Sequence, residues 1–267
     1  MQLIVGFLLG GVIGIISWRV QALSTSGAIA AAFTGGMIFG LGGFPWAALL
    51  LTFFASSSAL SRLFSKRKAT LVEKFSKGHR RDWAQVLANG GLGALLVLPL
   101  AFFPQQPGLW AAYAGAMAAV NADTWATELG VLSTIPPRLI TSGKFVERGT
   151  SGGVTPLGYA AVLAGAAVIG LIAALFIPVE QRLGFWLVVI LAGVSGSTFD
   201  SLLGASVQAI YYCPVCLKET ERHPLHSCGT LTHINRGWRW LDNDLVNFLC
   251  SLAGALVAAM LWGLIFQ

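Results

Sequence analysis

With 55% of its 267 residues hydrophobic and only 10% charged, the chain is too apolar for a water-soluble domain and reads as an integral membrane protein. Its net charge is +6 and its sequence pI near 9.4. The basic residues behind that charge fall in a few loops, which argues for membrane topology and against nucleic-acid binding.

Eight stretches are long enough and nearly free enough of charge to cross a hydrocarbon core about 30 Å thick. They lie near 2–18, 27–42, 44–61, 83–103, 108–131, 154–178, 184–210 and 244–266. The first lacks a basic start and a convincing cleavage site, and Arg19 follows the apolar run, so it is read as a retained helix and not a secretion signal. Gly6, Gly10 and Gly14 recur every four residues, as do Gly36 and Gly40, a spacing that lets helix backbones approach closely in lipid. Of the 17 Lys and Arg residues, all but Arg182 fall in the first, third, fifth and seventh loops. Basic loops stay on the cytoplasmic side, so both termini are expected outside and the long loops inside. The expectation is an all-α polytopic bundle of about eight helices, a single membrane domain over 1–267, in a bacterial-type plasma membrane or a plastid-type membrane. Membrane lipids surround it, and a homo-oligomer stays open.

The loop at 62–81, "RLFSKRKATLVEKFSKGHRR", is basic enough to lie on anionic headgroups, each cation there worth about 1 kcal/mol, or to steer a phosphorylated substrate. His79 within it reads as a solvated loop residue. Asp82, Gln85 and Asn89 then share one helical face, which should look onto protein or water, since facing lipid is costly.

The span at 108–131 ends in "NADTWATELG". On an unbroken helix Asn121, Thr124 and Glu128 line one side, and Asp123 and Thr127 another about 140° around. The two carboxylates therefore cannot chelate one ion from a straight helix: the helix bends, or they serve different ions or phosphates. The loop at 133–153 carries "TSGKFVERGTSGGVT", in which Gly149, Gly152 and Gly153 alternate with Thr150, Ser151 and Thr155 at a helix start. Backbone N–H groups and hydroxyls in such a turn can surround phosphate oxygens, with Lys144 as an added point charge, although no Walker A order is present. In "GSTFDSLLGASVQ" Asp200, Gly204 and Gln208 fall on one helical side, Asp200 about three turns from the loop. "LDNDLVN" clusters Asp242, Asn243, Asp244 and Asn247 at the mouth of the last helix, where Asp242 alone would suffice as a cap. Each carboxylate has a plainer reading as half of a buried ion pair. Hard oxygen donors from several segments, with no thiolate or imidazole among them, favour magnesium over zinc.

The loop at 211–243 holds a separate signal, "CPVCLKETERHPLHSCG". Cys213, Cys216 and Cys228, with His226 or His223 as fourth ligand, match the compact spacing of a structural zinc site. A reducing cytoplasmic loop disfavours a disulfide. His226 adjoins the Cys228 turn and is the preferred fourth ligand. Cys250 in the last span reads as a small apolar residue.

"NADTWATELG", "GTSGGVT", "FDSLLGASVQ" and "LDNDLVN", in this order, resemble the motif series of the membrane family that includes plant phytyl-phosphate kinase of the vitamin E (tocopherol) pathway and animal transmembrane protein 19. The resemblance runs over nearly the whole chain. It implies an enzyme that phosphorylates an isoprenoid monophosphate to the diphosphate, with magnesium and a nucleoside triphosphate, CTP, as donor. On that reading Asp123, Glu128 and Asp200 bind magnesium, and Lys144 with Gly149, Thr150, Ser151, Gly152, Gly153 and Thr155 holds phosphate oxygens. Asn121, Thr124, Gln208, Asp242, Asn243 and Asn247 complete the nucleotide site. A cytidylyltransferase forming a CDP-activated lipid and an ion-coupled transporter are the competing readings.

Overall fold

The computed structural model describes residues 1–64, 80–103 and 106–266. His79 and most of the basic 62–81 loop lie outside the described residues. Among the described residues there are seven α-helices: α1 Gln2–Arg19, α2 Thr25–Leu63, α3 Trp83–Leu96, α4 Pro107–Gly130, α5 Pro156–Ala174, α6 Arg182–Ser206 and α7 Asn243–Phe266.

A straight helix of 39 residues would be about 58 Å long, nearly twice a hydrocarbon core. α2 is not straight. Gly43 sits at φ 75, ψ −165, outside helical space, and Pro45 follows where its missing N–H is harmless at the start of a new helix. The Arg62 guanidinium donates to Val20 O, so the far end of α2 returns to where α1 ends, and the Leu50 side chain lies 3.9 Å from a Cβ built on Gly35. α2 is therefore two antiparallel arms joined at Gly43, and the chain crosses the bundle eight times.

α1 runs antiparallel to the first arm, with Gln2 Nε2 donating to Phe39 O at 3.1 Å. The glycine ridge is used as its spacing suggests: a Cβ on Gly6 would stand 2.6 Å from Gly36 O, one on Gly10 2.6 Å from Ala32 O, and one on Gly14 2.9 Å from Ala28 O. α4 occupies the centre, packed on α2, α3, α5, α6 and α7. Its residues 111–122 are all buried, mostly as Ala and Gly. Six of the described helices are long and apolar enough to cross a membrane; α4 is not among them, because a helix sheathed by protein needs no lipid-facing side. α3 is prolonged by a 3-10 turn at Leu98–Ala101, where Pro99 ends the α-helical pattern.

α6 stops at Ser206, short of the expected end at 210, and the chain turns into β3 Ile210–Cys213. β3 is the middle strand of a small antiparallel sheet with β4 Lys218–Thr220 and β5 His233–Arg236. A shorter pair, β1 Arg138–Leu139 and β2 Gly153–Val154, braces the 131–155 loop. The loops gather at one end of the bundle. Ser24 N donates to Arg81 O (3.0 Å) and Arg81 N to Ala22 O (3.1 Å), while the Arg236 guanidinium donates to Gly204 O (2.8 Å) and Ser151 O (3.4 Å).

Candidate functional site

At the loop-bearing end a polar cavity of about 320 Å³ opens between α3, α4, α5, α6 and α7. Asp123, Thr124, Thr127 and Glu128 of α4 line it, facing Asp200 of α6, Asn243 and Asn247 of α7, and the turn from Arg148 to Thr155. Four distant stretches of sequence thus share one wall system.

The carboxylates divide between two sides. Asp123 Oδ1 accepts from Ser197 Oγ at 3.2 Å, and Asp200 lies close enough to feel the charges of Asp123 and Glu221. The second Asp200 oxygen, Oδ2, is buried and accepts no hydrogen bond. Glu128 is elsewhere: its Oε1 accepts from Ser61 Oγ at 2.8 Å, and its charge acts on Arg81. α4 stays helical to Gly130, so the angular separation along a straight helix keeps Glu128 apart from Asp123. Of the three carboxylates expected to act together, the structure sets Asp123 and Asp200 on one side of the cavity and Glu128 on another. Arg81 lies in both the cavity wall and the ring contacts of α2, 5.3 Å from the Phe53 centroid. Burial lowers its pKa to about 10 and Glu128 works against that fall, so it stays charged at neutral pH.

The glycine turn is held against α6. Gly152 has φ 79, and a Cβ there would come within 2.4 Å of the Ala205 backbone, so both conformation and approach require glycine. Thr155 caps α5 by accepting from Gly158 N at 2.9 Å, which points the positive end of that helix at the cavity.

Several expected ligands are placed otherwise. Lys144 is exposed and does not line the cavity; Arg148, which donates to Ser133 O at 2.8 Å, is the cation of that loop which does. Gln208 is off the helix and fully buried, accepting from Ser151 Oγ at 2.7 Å and donating to Glu221 Oε1 at 3.1 Å, so it struts the turn and faces no ligand. Asn121 is buried about two turns deeper than Glu128, donating to Gly165 O (2.8 Å) and accepting from Ser56 Oγ (3.0 Å), and it ties α2, α4 and α5 together. Asp242 is exposed and caps α7, accepting from Leu245 N at 3.0 Å. Asp200 is six residues from the end of α6, under two turns and not three. Sequence reasoning passed over Ser197, Ser201, Tyr159, Arg148 and Glu221 as cavity residues. A signal existed for Ser197, three residues before Asp200, and for Ser201, four residues after Ser197, both helical same-face spacings.

Beside the cavity, Cys213, Cys216, His226 and Cys228 bring one ligand atom each to within 4.8 Å of the others. Cys213 Sγ is 3.6 Å and His226 Nδ1 3.3 Å from Cys228 Sγ. His223 instead stacks on Tyr211, 4.4 Å between centroids, and His226 is the histidine that joins the three cysteines. The Thr230 hydroxyl, and after it His226, pull the Cys228 thiol down to about 6, while the hydrogen bond with Cys228 pushes the Cys216 thiol up to about 11. Three sulfurs and one imidazole can hold a metal such as zinc. The strand β4 that leaves this knuckle leads directly to Glu221 in the cavity wall.

The family described as Integral membrane protein DUF92 matches residues 8–255. Among curated relatives, Protein PGR of Arabidopsis thaliana is 33% identical, covering 97% of this chain and 96% of its own length. An uncharacterized membrane protein of Methanocaldococcus jannaschii is 33% identical over 76% of this chain and 82% of its own. One of Synechocystis sp. is 29% identical over 82% and 77% respectively. No solved structure matches.

Proposed function

The chain belongs to the DUF92 family of integral membrane proteins, and within it we propose a phosphotransferase that converts an isoprenoid monophosphate to the diphosphate with a nucleoside triphosphate as donor, CTP being the expected one. The observation that carries this reading is a carboxylate pair, Asp123 and Asp200, set opposite a glycine turn and a capped helix start in a polar cavity inside an otherwise apolar bundle.

A phosphate monoester has a second pKa near 6, so at neutral pH the attacking oxygen is already anionic and needs no strong base. The demands on the protein are alignment and charge neutralisation. Asp123, oriented by Ser197, and Asp200, with a buried oxygen that no protein donor engages, fit a magnesium ion in their hard-oxygen character and would hold it. Such an ion, when bound, supplies neutralisation of the polyphosphate. The turn at 149–153 and the α5 N-terminus present positive backbone dipole to phosphate oxygens. Arg81 and Arg148 add full charges on two sides of the cavity. Thr124, Asn243 and Asn247 offer neutral hydrogen-bonding groups for the nucleotide. The loop-bearing end faces the cytoplasm in this reading, where nucleotide is available.

Purified protein incubated with phytyl or geranylgeranyl phosphate, magnesium and each nucleoside triphosphate in turn should yield the isoprenoid diphosphate and a nucleoside diphosphate. Release of pyrophosphate with a CDP-linked lipid would instead establish a cytidylyltransferase, and no turnover of any pair would remove the enzymatic reading.

A further inference from the structure

A second cavity, of about 310 Å³ and almost wholly apolar, lies between α1, the two arms of α2 and α3. Its size is at the low end of small-molecule sites, about 300–1,000 Å³. It adjoins the polar cavity: Arg81, Gln85 and Asn89 belong to the walls of both. A molecule filling the two spaces would be hydrocarbon at one end and polar at the other, with Arg81 at the junction offering a charged donor. At the junction Arg81 is fixed through its backbone to Ala22 and Ser24, and its guanidinium lies 5.3 Å from the Phe53 and 5.9 Å from the Phe54 ring centroids, both rings being crevice walls. Gln85 and Asn89 stand one helical turn apart beside it.

We propose that the crevice between α1, α2 and α3 holds the hydrocarbon chain of an isoprenoid phosphate, with its phosphate at Arg81, Gln85 and Asn89 facing the carboxylate pair. The assignment rests on the phosphotransferase reading for the identity of the chain. The crevice itself explains why a polar cavity and an apolar one should share a wall that holds Arg81. The occupant is a phosphorylated chain and not a neutral lipid, because Arg81, which Glu128 also faces, offers a charged donor that an anionic head can use.

Two glycines allow a direct test. A Cβ on Gly35 or on Gly90 would meet only a methyl of Leu50, at 3.9 and 3.8 Å, so a larger side chain at either position enters the crevice without striking backbone. In Gly35→Leu and Gly90→Leu, kcat/KM for geranylgeranyl phosphate should fall about tenfold or more, while that for the shorter geranyl phosphate holds. An unchanged ratio between the two substrates in both variants overturns the crevice as the chain site, and turnover by the wild type would leave the phosphotransferase reading standing. If the wild type turns over neither substrate, that reading fails and a second measurement decides the crevice. A diazirine-bearing geranylgeranyl phosphate should label the wild type at residues such as Leu50 and Phe53, and labelling should be lost in Gly35→Leu. Adducts scattered over outward helix faces and competed equally by bulk phospholipid would mean a lipid-filled crevice and end the proposal.

Discussion

At the scale of the residue, the proposed chemistry rests on two carboxylates, Asp123 and Asp200, and on the neighbours that orient them. Asp123→Asn keeps the shape and removes the charge, and should lower turnover by at least about 100-fold with thermal stability in detergent unchanged. Lys144→Ala should leave turnover within twofold or so of wild type, as expected of a side chain outside the cavity. A large loss in that variant would show that the 138–145 loop closes over the substrate. The acidic residues and the glycine turn could be found in the sequence because each departs from its apolar surroundings. Which of them meet was not legible. Glu128 looks like a ligand until Ser61 and Arg81, more than forty positions away, are known to face it. Asn121 looks equally functional until Gly165 O and Ser56 are seen to satisfy its amide.

At the scale of the element, close helix approach is the main device. Gly115 and Gly254 face each other across α4 and α7, and a Cβ on Gly115 would stand 2.4 Å from Gly254 O and from the Ala258 methyl. Gly115→Ala should therefore destabilise by about 1–3 kcal/mol, read as a lower unfolding temperature in detergent. Gly11→Ala, where nothing lies within 4 Å, should be neutral and serves as the control. This contrast cannot be read from spacing alone, since both glycines sit in apolar helices. The Cys213, Cys216, His226 and Cys228 set was legible, because metal ligands keep short fixed spacings. Its link to the cavity through β4 and Glu221 was not, because it depends on where α6 ends. Cys213→Ser should reduce bound zinc, measured by elemental analysis, and lower turnover with it; full turnover in a zinc-free protein would mean that the knuckle does not support the site.

At the scale of the whole molecule, eight crossings follow from hydropathy once Gly43 is taken as a break and not a kink in one long helix. Arg182, among the described residues the one Lys or Arg at the opposite pole, donates to Ile177 O and Leu175 O at the end of α5, so its place there has a local reason. The remaining basic loops lie toward the cavity end, among the described residues. A reporter fused to the C-terminus should be inaccessible from the cytoplasm, and cysteines placed at Lys144 or Lys218 should react from the cytoplasmic side; the reverse pattern would put the cavity on the side without nucleotide. The most direct test of the account follows the γ-phosphate of labelled CTP with geranylgeranyl phosphate as acceptor. The label should appear in an isoprenoid diphosphate, matched by CDP, and should be lost from both Asp123→Asn and Asp200→Asn while each stays folded. Label released as pyrophosphate, or undiminished transfer in either variant, would contradict it.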